Sequence, residues 1–325
     1  MVLQILVPQY KETEEVIKPL LDSIAIQQNI NFDDIGVIIC NDGSDVLLSN
    51  EFFNNYPFCI EYILSSHKGV SATRNICFDN AIADYVMFCD ADDMFYSVCG
   101  ISTIFGEIDK GFDCMISSFI EEGRLPEFDT PTYIENKHDG TFVHGKIYRR
   151  QYLLDNNIRW KEELIRNEDS YFNILSINLT DNVVYCEIPF YFWRYREDSV
   201  TRKDLKFKLK YFNDLIKSSD MLVQEFLKRG RTDKAIFYVG DMIFYTYYNL
   251  NKAEWILQEN KQYKESTENR IAEYYKKYKY LWDSLDMQNK LQLSNNVRND
   301  MIKDIDMLME SITLDDWLQR IEKQF

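Results

Sequence analysis

The chain of 325 residues has few of the residues that interrupt or cross-link a fold. It contains 11 glycines and 6 prolines; no proline lies beyond Pro189, and only Gly230 and Gly240 follow that position. Its seven cysteines form no Cys-Xaa-Xaa-Cys pair, which excludes a zinc cluster or a disulfide framework as the basis of the fold. No apolar run reaches transmembrane length and no signal peptide is expected. Reduced cysteines in apolar segments indicate a cytoplasmic protein, with a peripheral position at the inner face of a membrane as an alternative.

The chain also lacks an excess of positive charge. Its formal net charge is −16, and residues 1–202 carry 16 Lys and Arg against 33 Asp and Glu. Residues 203–325 are nearly neutral, with 21 basic and 20 acidic residues. Because contacts to a phosphate backbone need clustered Lys and Arg, no nucleic acid is expected as a partner. A single nucleotide bound with its own metal ion is compatible with this charge.

The order of apolar patterns predicts two domains. Strand-like runs at 2–7, 35–40, 60–64 and 85–89 alternate with helical patterns at 14–28 and 70–83. This alternation predicts an α/β fold with a mostly parallel, Rossmann-like sheet. Helical patterns follow at 205–228, 232–250, 265–285 and 291–311, and Thr313 to Asp316 resembles a capping box that opens a last helix. We therefore expect one domain over 1–203 and a helical domain over 204–325.

The most informative segment is the acidic end of the fourth predicted strand. The apolar run Tyr85–Cys89 is followed at once by Asp90-Ala91-Asp92-Asp93. Ligands in open α/β sheets bind at the carboxyl ends of strands, and clustered carboxylates there repel one another unless a cation lies between them. The pattern indicates a site for a hard divalent cation. A solvated acidic turn is the alternative.

Three loops after other predicted strands carry polar residues suited to a nucleotide. Tyr10 follows the first strand and could stack on a base or sugar, whereas Asp42 follows the second and could accept a hydrogen bond from a base or ribose. The third loop offers His67, Gly69 and Arg74 beside a helix N-terminus, which suits a phosphate or a carboxylate partner. The alternative for each loop is an ordinary turn or helix cap without a ligand.

Six motifs in this order resemble the nucleotide-sugar-binding half and the acceptor half of family 2 glycosyltransferases, over roughly residues 1–202. They are Val7-Pro8-Gln9-Tyr10-Lys11-Glu12, Asn41-Asp42-Gly43-Ser44, Gly69-Val70-Ser71-Ala72-Thr73-Arg74-Asn75, Asp90-Ala91-Asp92-Asp93, Asn167-Glu168-Asp169-Ser170-Tyr171-Phe172 and the segment from Pro189 to Thr201. The resemblance implies the GT-A fold, with the nucleotide-sugar and metal site in 1–95 and the acceptor side in 96–203.

The resemblance also implies roles for individual residues. Asp169 would be the catalytic base, with Glu168 beside it contacting the sugar or the acceptor. Asp92, in the Asp-Xaa-Asp motif, would ligate Mn²⁺ or Mg²⁺. Residues implied to bind the nucleotide sugar are Pro8, Tyr10, Glu12, Asp42, His67, Arg74, Asp90, Ala91, Arg196 and Ser199. Arg196, Ser199 and Arg202 would lie on a segment that closes over the diphosphate.

Displacement of UDP from an anomeric carbon independently requires a metal ion and a base, the two roles implied for Asp92 and Asp169. A divalent metal neutralises the leaving diphosphate, and a base accepts the proton of the incoming hydroxyl. A single base without a covalent intermediate implies inversion. Asp169 precedes a predicted helix over 170–177, where the positive dipole end would favour a carboxylate. The alternative for Glu168 and Asp169 is plain capping of that helix.

The resulting prediction is an inverting hexosyl- or N-acetylhexosaminyltransferase that uses a UDP-sugar. The acceptor would be a polysaccharide, glycolipid, glycopolymer or protein, and the helical domain would suit a homo-oligomer. Two departures from the family pattern, Asn41 and His67, bear on nucleotide selectivity. The alternatives are a non-catalytic carbohydrate- or nucleotide-binding assembly protein with the GT-A fold, and a sugar nucleotidyltransferase. The latter would be expected to have a glycine-rich loop with Arg and Lys after strand one, which the sequence lacks.

Overall fold

The structure, a computed structural model, describes residues 1–125, 129–196, 205–250, 261–301 and 313–323, with the backbone alone over 205–211 and 299–301. The chain divides into two compact units, Met1–Ser199 and Val200–Phe325. The assignment of a catalytic role to 1–203 and of a separate role to 204–325 remains a prediction.

Nine strands of the described residues form one sheet in the first unit. They are β1 (Leu3–Gln9), β2 (Ile35–Asp42), β3 (Cys59–Ser65), β4 (Tyr85–Phe88), β5 (Met94–Phe95), β6 (Cys114–Leu125), β7 (Thr130–Asn136), β8 (Lys146–Arg149) and β9 (Val183–Trp193). Their order is β3-β2-β1-β4-β8-β6-β9-β5, and β7 pairs with β6. The four strands expected from the sequence are β1 to β4, with ends that differ by one or two residues.

The first half of the sheet is parallel. β1 pairs with β2 and β4, and β2 pairs with β3, all in parallel. Every residue of β2 and of β4 is buried, as expected for strands covered on both faces. Since parallel strands end at the same edge, the loops that follow β1 to β4 meet there.

The second half of the sheet contains both parallel and antiparallel pairs, and the sequence pattern did not predict its strands. β8 is antiparallel to β4 and to β6, whereas β9 runs parallel to β6 with an irregularity between Ser117 and Phe119. β5 is antiparallel to β9, and Met94 lies opposite Phe192. This register brings the end of β9 beside the acidic segment that follows β4.

Helices of the first unit connect these strands. They are α1 (Glu14–Ala25), α2 (Asn50–Phe53), α3 (Val70–Asn80), α4 (Gly100–Ile108), α5 (Arg150–Asp155) and α6 (Glu168–Asn178), with a 3₁₀ turn at Phe32–Asp34. On α1 the buried residues are Ile17, Leu20, Leu21, Ser23 and Ile24. Ile17, Leu20, Leu21 and Ile24 lie at helical spacing and belong to a core shared with strand residues such as Ile5 and Val37.

The second unit is helical in its described parts. Its helices are α7 (Leu205–Lys228), α8 (Thr232–Leu250), α9 (Lys261–Ser284), α10 (Met287–Met301) and α11 (Leu314–Glu322). The predictions of α7 and α8 are confirmed at both ends. The remainder of the helix expected over 291–311 lies outside the described residues. Thr313 caps α11 by accepting a hydrogen bond from the Asp316 amide, which confirms the predicted cap. Among the described residues, no helix is both long and apolar enough to cross a membrane.

Candidate active site

The end of β4 places three carboxylates at the edge of the sheet in different environments. Asp90 is partly exposed, Ala91 is buried, Asp92 is partly exposed, and Asp93 is only 1% exposed. The Asp93 amide donates to the Asp90 carbonyl at 3.2 Å, which closes a tight turn. The turn directs the carboxylates of one short segment toward different neighbours.

Arg74 of α3 joins the end of β4 to the start of α6. Its guanidinium is buried and donates to the Asp90 carboxylate at 2.8 Å and to the Glu168 carboxylate at 3.1 Å. Burial opposes the charge of this group, but Asp90 and Glu168 outweigh it and raise the pKa of Arg74. The sequence indicated a phosphate or carboxylate partner for this arginine, and the structure gives it two carboxylates.

A tryptophan fixes the plane of that guanidinium. The Arg74 guanidinium carbon lies 4.4 Å from the centre of the Trp160 ring, which in turn stacks on Phe172 at 4.3 Å. The Asn75 side chain holds the Trp160 backbone through two hydrogen bonds, at 3.0 and 3.1 Å. Arg74 is therefore held from below by an aromatic face and at its edge by two acids. Nothing in the sequence pattern singled out Trp160.

Asp169 lies in the first turn of α6, which begins two residues earlier than the sequence predicted. Its carboxylate accepts a hydrogen bond from the Ser170 amide at 2.7 Å. Burial, and after it the neighbouring Glu168, raise the pKa of Asp169 to about 7 against the opposing effect of Arg74. The helix N-terminus favours the charged carboxylate, as expected from the sequence, but the effect of burial on the pKa is larger. Asp169 can thus exchange a proton near neutral pH.

The buried Asp93 belongs to a polar cluster below the edge of the sheet. It accepts a hydrogen bond from the Tyr191 hydroxyl and one from the Arg194 amide, the latter at 3.0 Å. The His144 Nδ1 atom lies 3.7 Å from its carboxylate. Within the described part of the chain, ligand atoms of Asp90, Asp93 and His144 lie within 4.8 Å of one another. Burial lowers the pKa of His144 to about 4, so the imidazole is neutral.

This group fits a divalent cation by its chemistry. Two carboxylates and a neutral imidazole are a donor set that Mn²⁺ accepts more readily than the oxygen-preferring Mg²⁺. Asp92, which the resemblance implied as the metal ligand, lies outside the group, and its carboxylate accepts from Arg196 at 3.1 Å. Burial and the Asp90 charge raise the pKa of Asp92 against the effect of Arg196. The role of Asp92 remains a prediction. Asp93 belongs to the acidic segment for which the sequence predicted a cation, and His144 is a candidate ligand that the sequence did not assign.

Arg196 also approaches the loop that follows β1. One of its guanidinium nitrogens lies 4.0 Å from the Glu12 carboxylate, and burial raises the pKa of Glu12. The Glu12 carboxylate accepts from the Tyr10 amide at 2.5 Å. Glu12, Asp92 and Arg196 therefore lie together, and their role in binding a donor remains a prediction. Ser199 and Arg202, predicted to be on the same closing segment, lie outside the described residues.

Asp42 organises the loop before α3. Its carboxylate oxygens accept from the Lys68 amide at 2.7 Å and the Gly69 amide at 3.0 Å, and one lies 2.9 Å from the His67 ring. Tyr10, which is 43% exposed, stacks on His67 with ring centres 4.8 Å apart. The two predicted donor residues thus form an exposed aromatic surface at the ends of β1 and β3, with Asp42 beneath it.

The departures from the family pattern have structural roles. The Asn41 amide donates to the carbonyls of Ser44 and Val46, and its oxygen accepts from the Ser44 amide at 2.7 Å. This network holds the turn after β2. Pro8 lies in β1 opposite Cys40, one residue before β1 ends at Gln9. The structure thus brings Tyr10, Asp42 and His67 together, and separately Arg74, Asp90, Glu168 and Asp169.

Lys146 was missed by the sequence reasoning. It begins β8, is only 1% exposed, and its ammonium donates to the carbonyls of Phe142 and His144. Burial lowers its pKa to about 8, opposed by Asp139 and Asp169. The sequence Lys-Ile-Tyr-Arg of β8 carries no pattern that marks Lys146 as buried, so its burial follows only from the fold. Its charge counters that of Asp169.

Comparison with known proteins assigns the family. The model of glycosyl transferase family 2 matches residues 4–222, which is more than half of the chain. The chain belongs to glycosyl transferase family 2. The glycosyltransferase GlyA of Streptococcus pneumoniae serotype 4 is 26% identical over 222 residues, which cover 61% of this chain and 31% of GlyA. An uncharacterized glycosyltransferase of Rickettsia felis is 30% identical over 97 residues, or 28% of this chain and 15% of that protein. The chain thus spans a third or less of these relatives.

Solved structures of low sequence identity share the fold. S. aureus TarS superposes over the whole chain and 55% of TarS, with a TM-score of 0.63 and 16% identity. TarS 1–349 in complex with UDP-GlcNAc covers 92% of both chains, with a TM-score of 0.53 and 17% identity. The mannosyltransferase PcManGT of Pyrobaculum calidifontis, in complex with GDP-Man and Mn²⁺, covers 98% of this chain and 83% of its own, with a TM-score of 0.52 and 11% identity. The predicted α/β GT-A fold with helices after it is confirmed.

Proposed function

We propose that this protein is an inverting glycosyltransferase that moves a sugar from a UDP-sugar to an acceptor hydroxyl with a divalent metal. The observation that carries the proposal is the arrangement around Arg74. One buried guanidinium holds Asp90, at the end of the donor-side strand, and Glu168, whose neighbour Asp169 has a pKa raised to about 7. Membership of glycosyl transferase family 2 supports the same reaction class.

Asp169 is the proposed base. The hydroxyl oxygen of the acceptor forms a bond to the anomeric carbon while the bond from that carbon to the diphosphate oxygen breaks. The proton of the hydroxyl passes to the Asp169 carboxylate, and the electron pair of the broken bond leaves on UDP. A base whose pKa lies near the working pH is suited to this step, which contributes roughly 10²–10⁴-fold to a rate. Glu168, held by Arg74, would orient the sugar or the acceptor.

The donor would bind along the ends of β1 to β4. Tyr10 and His67 would stack against the uracil, with Asp42 and Pro8 supporting the loops that hold it and Asp90 contacting the ribose or the sugar. Arg196, beside Asp92 and Glu12, would turn toward the diphosphate once that anion enters. A divalent ion held by Asp92, with Asp90, Asp93 and His144 as further candidates, would neutralise charge on the leaving UDP. Mn²⁺ fits this mixed oxygen and nitrogen set best.

The finer assignments are part of the proposal. UDP as the nucleotide rests on the sequence motifs, and the transferred sugar would be a hexose or an N-acetylhexosamine. The free state of all seven cysteines supports a cytoplasmic protein. A homo-oligomer through residues 204–325 is retained as a prediction. The nucleotidyltransferase alternative loses support because the matching family is one of glycosyl transferases.

Asp169→Asn is the deciding variant. We expect it to bind UDP with Mn²⁺ as the wild type does in calorimetry, and to lose at least about 100-fold in sugar transfer because the proton acceptor is gone. Asp181→Asn is the matched control, since Asp181 is an exposed carboxylate that follows the same helix. It should leave transfer unchanged.

Two results would contradict the proposal at different points. Full transfer by Asp169→Asn would exclude this residue as the base while leaving the donor site intact. No UDP binding by the wild type in the presence of Mn²⁺ would exclude the donor site and favour the non-catalytic alternative.

A further inference from the structure

Three exposed or half-exposed aromatic rings meet beside the acidic segment, on β9, β7 and the residue after β5. The Tyr96 ring is stacked on Phe192 with centres 6.0 Å apart and planes within 8°. The Tyr133 ring lies 6.0 Å from the same Phe192 ring. Tyr96 is 53% exposed and Tyr133 is 61% exposed. We call these three residues the aromatic platform.

The platform adjoins the proposed reaction site through the backbone. Met94, the strand partner of Phe192, directly follows Asp93, and strands advance about 3.3 Å per residue. Two residues beyond Phe192, the Arg194 amide donates to Asp93 and its guanidinium donates to the Asp92 carbonyl. Phe192 is therefore roughly 7 Å along the strand from a residue that binds the acidic segment.

The sheet order separates this platform from the nucleotide side. The Tyr10 and His67 rings lie at the ends of β1 and β3, on one side of β4. The platform lies on β9 and beside β5, at the other end of the strand order. Two aromatic surfaces thus flank the carboxylates that follow β4, and the reaction requires two substrates. The second surface belongs to residues 96–203, the part of the chain that the family resemblance implies as the acceptor side.

The surroundings select the chemistry of that acceptor. Glu122 lies opposite Tyr133 in the β6–β7 pair, and Glu135, two residues beyond Tyr133, lies on the same face of the sheet. Carboxylates accept hydrogen bonds from hydroxyl groups and repel phosphate. A pyranose ring has an apolar face of C–H groups, which suits an exposed aromatic face, and hydroxyls at its rim. An uncharged glycan matches both the rings and the acidic rim.

We propose that the aromatic platform binds a pyranose ring of the acceptor, so that the acceptor of this enzyme is an uncharged glycan. This inference rests on the proposed function, since it assigns the second substrate of the same reaction. Tyr96 and Tyr133 contact the acceptor in this assignment, and Phe192 supports the Tyr96 ring. The acceptor hydroxyl attacks the donor and loses its proton to Asp169 as described above.

The test uses the full chain with Mn²⁺, simple acceptors, and whichever of UDP-glucose, UDP-galactose and their N-acetyl forms it hydrolyses fastest in water. The acceptors are methyl β-D-glucopyranoside, methyl β-D-galactopyranoside and the methyl glycoside of N-acetylglucosamine. UDP release is measured with and without each acceptor. We expect at least one pyranoside to accelerate release, and Tyr96→Ala to raise its KM at least ten-fold while donor hydrolysis in water stays unchanged. Tyr96→Phe should stay within about two-fold of the wild type, because it keeps the ring.

Tyr185→Ala is the matched control. Tyr185 is also an exposed tyrosine on β9, at 56%, but lies seven residues before Phe192. Its removal should leave the acceptor KM unchanged. Saturation-transfer NMR of the same glycosides with the protein, UDP and diamagnetic Mg²⁺ in place of Mn²⁺ gives a readout of binding that does not need turnover. Signals from the pyranose C–H groups should weaken in Tyr96→Ala.

The outcomes separate the two proposals. An unchanged acceptor KM in Tyr96→Ala would overturn the platform while the glycosyltransferase assignment stands. The same conclusion would follow if a serine-containing peptide or ribitol phosphate accelerated UDP release and no pyranoside did. If the wild type neither binds UDP nor releases it from any donor, the proposed function fails, and the assignment of an acceptor fails with it.

Discussion

Asp169 combines two opposing influences in one carboxylate. The first turn of α6 and the nearby Arg74 favour its charged form, whereas burial and Glu168 favour the neutral form. Burial is the largest of these effects, and the pKa rises to about 7 from an ordinary value near 4. A carboxylate with this pKa can accept a proton from a hydroxyl and release it to water at physiological pH.

The pH dependence of transfer follows from that value. The base must be ionised, and below a pKa of about 7 most Asp169 is protonated. We therefore expect the rate of transfer to rise about ten-fold per pH unit up to pH 7 and to level off above it. The measurement is kcat/KM for transfer between pH 5.5 and 9. In Asp169→Asn the residual transfer should show no step near pH 7. A flat wild-type profile between pH 6 and 8 would contradict the assignment.

Single residues differed in how well the sequence revealed them. Asp90, Asp92 and Asp169 stand at the ends of strands and at the start of a helix, and these positions follow from periodicity alone. The sequence could not indicate that Asp93 would be buried against Tyr191, because the two residues are about a hundred positions apart. The same holds for Trp160 under Arg74. Contacts between distant residues need the fold.

Among the elements, the turn after β2 depends on one glycine. Gly43 has φ of +69°, and a Cβ atom there would lie 2.2 Å from the His67 backbone nitrogen. That nitrogen belongs to the loop whose amides bind Asp42. Both the conformation and the space therefore exclude a side chain, and the two loops that would flank the nucleotide pack at this point.

Gly43→Ala should separate those loops. The positive φ alone costs roughly 1–2 kcal/mol, and the overlap with His67 adds to it. We expect a loss of at least about 2 kcal/mol in urea unfolding and at least ten-fold weaker UDP binding in calorimetry. Gly106→Ala is the control, because Gly106 is exposed in α4 with no atom within 4 Å. It should be neutral or stabilise by about 0.5–1 kcal/mol. Wild-type UDP affinity in Gly43→Ala would contradict the role of this turn.

Elements were predictable where local pattern and burial agree. The continuous apolar runs of β1, β2 and β4 are those of strands covered on both faces, and their alternation with α1 and α3 gave the parallel half of the sheet. The mixed half was not predicted. β9 alternates between buried and exposed residues irregularly, and its direction relative to β6 is set by pairings that cross the bulge after Ser117. Whether the neighbour of a strand runs parallel or antiparallel to it leaves no distinct pattern in the local sequence.

At the scale of the whole molecule, ligand binding should report on the proposed metal. A ligand that binds the folded state alone stabilises it by about 2.7 kcal/mol at a hundred times its Kd. For a unit of about 200 residues this corresponds to a rise of roughly 5–10 °C in Tm. We expect that rise with UDP and Mn²⁺ in thermal denaturation, and a much smaller one after EDTA. Uridine, which has no diphosphate, is the control, and its small shift should not respond to EDTA. An equal shift by UDP with and without metal would contradict the metal site.

The stacking of Arg74 on Trp160 has a consequence for exchanging segments between relatives. Asn75 fixes the Trp160 backbone, Trp160 carries the guanidinium, and the same ring packs on Phe172 of the helix that bears Asp169. The arginine and its support come from segments some eighty residues apart in the chain. A graft of residues 158–178 from another family member would replace the helix that bears Asp169, but we expect it to fit this chain only when it also brings an aromatic face and an acid that match Arg74. In this protein the proposed donor half and the proposed acceptor half are joined through one cation, so that neither can be exchanged without the other.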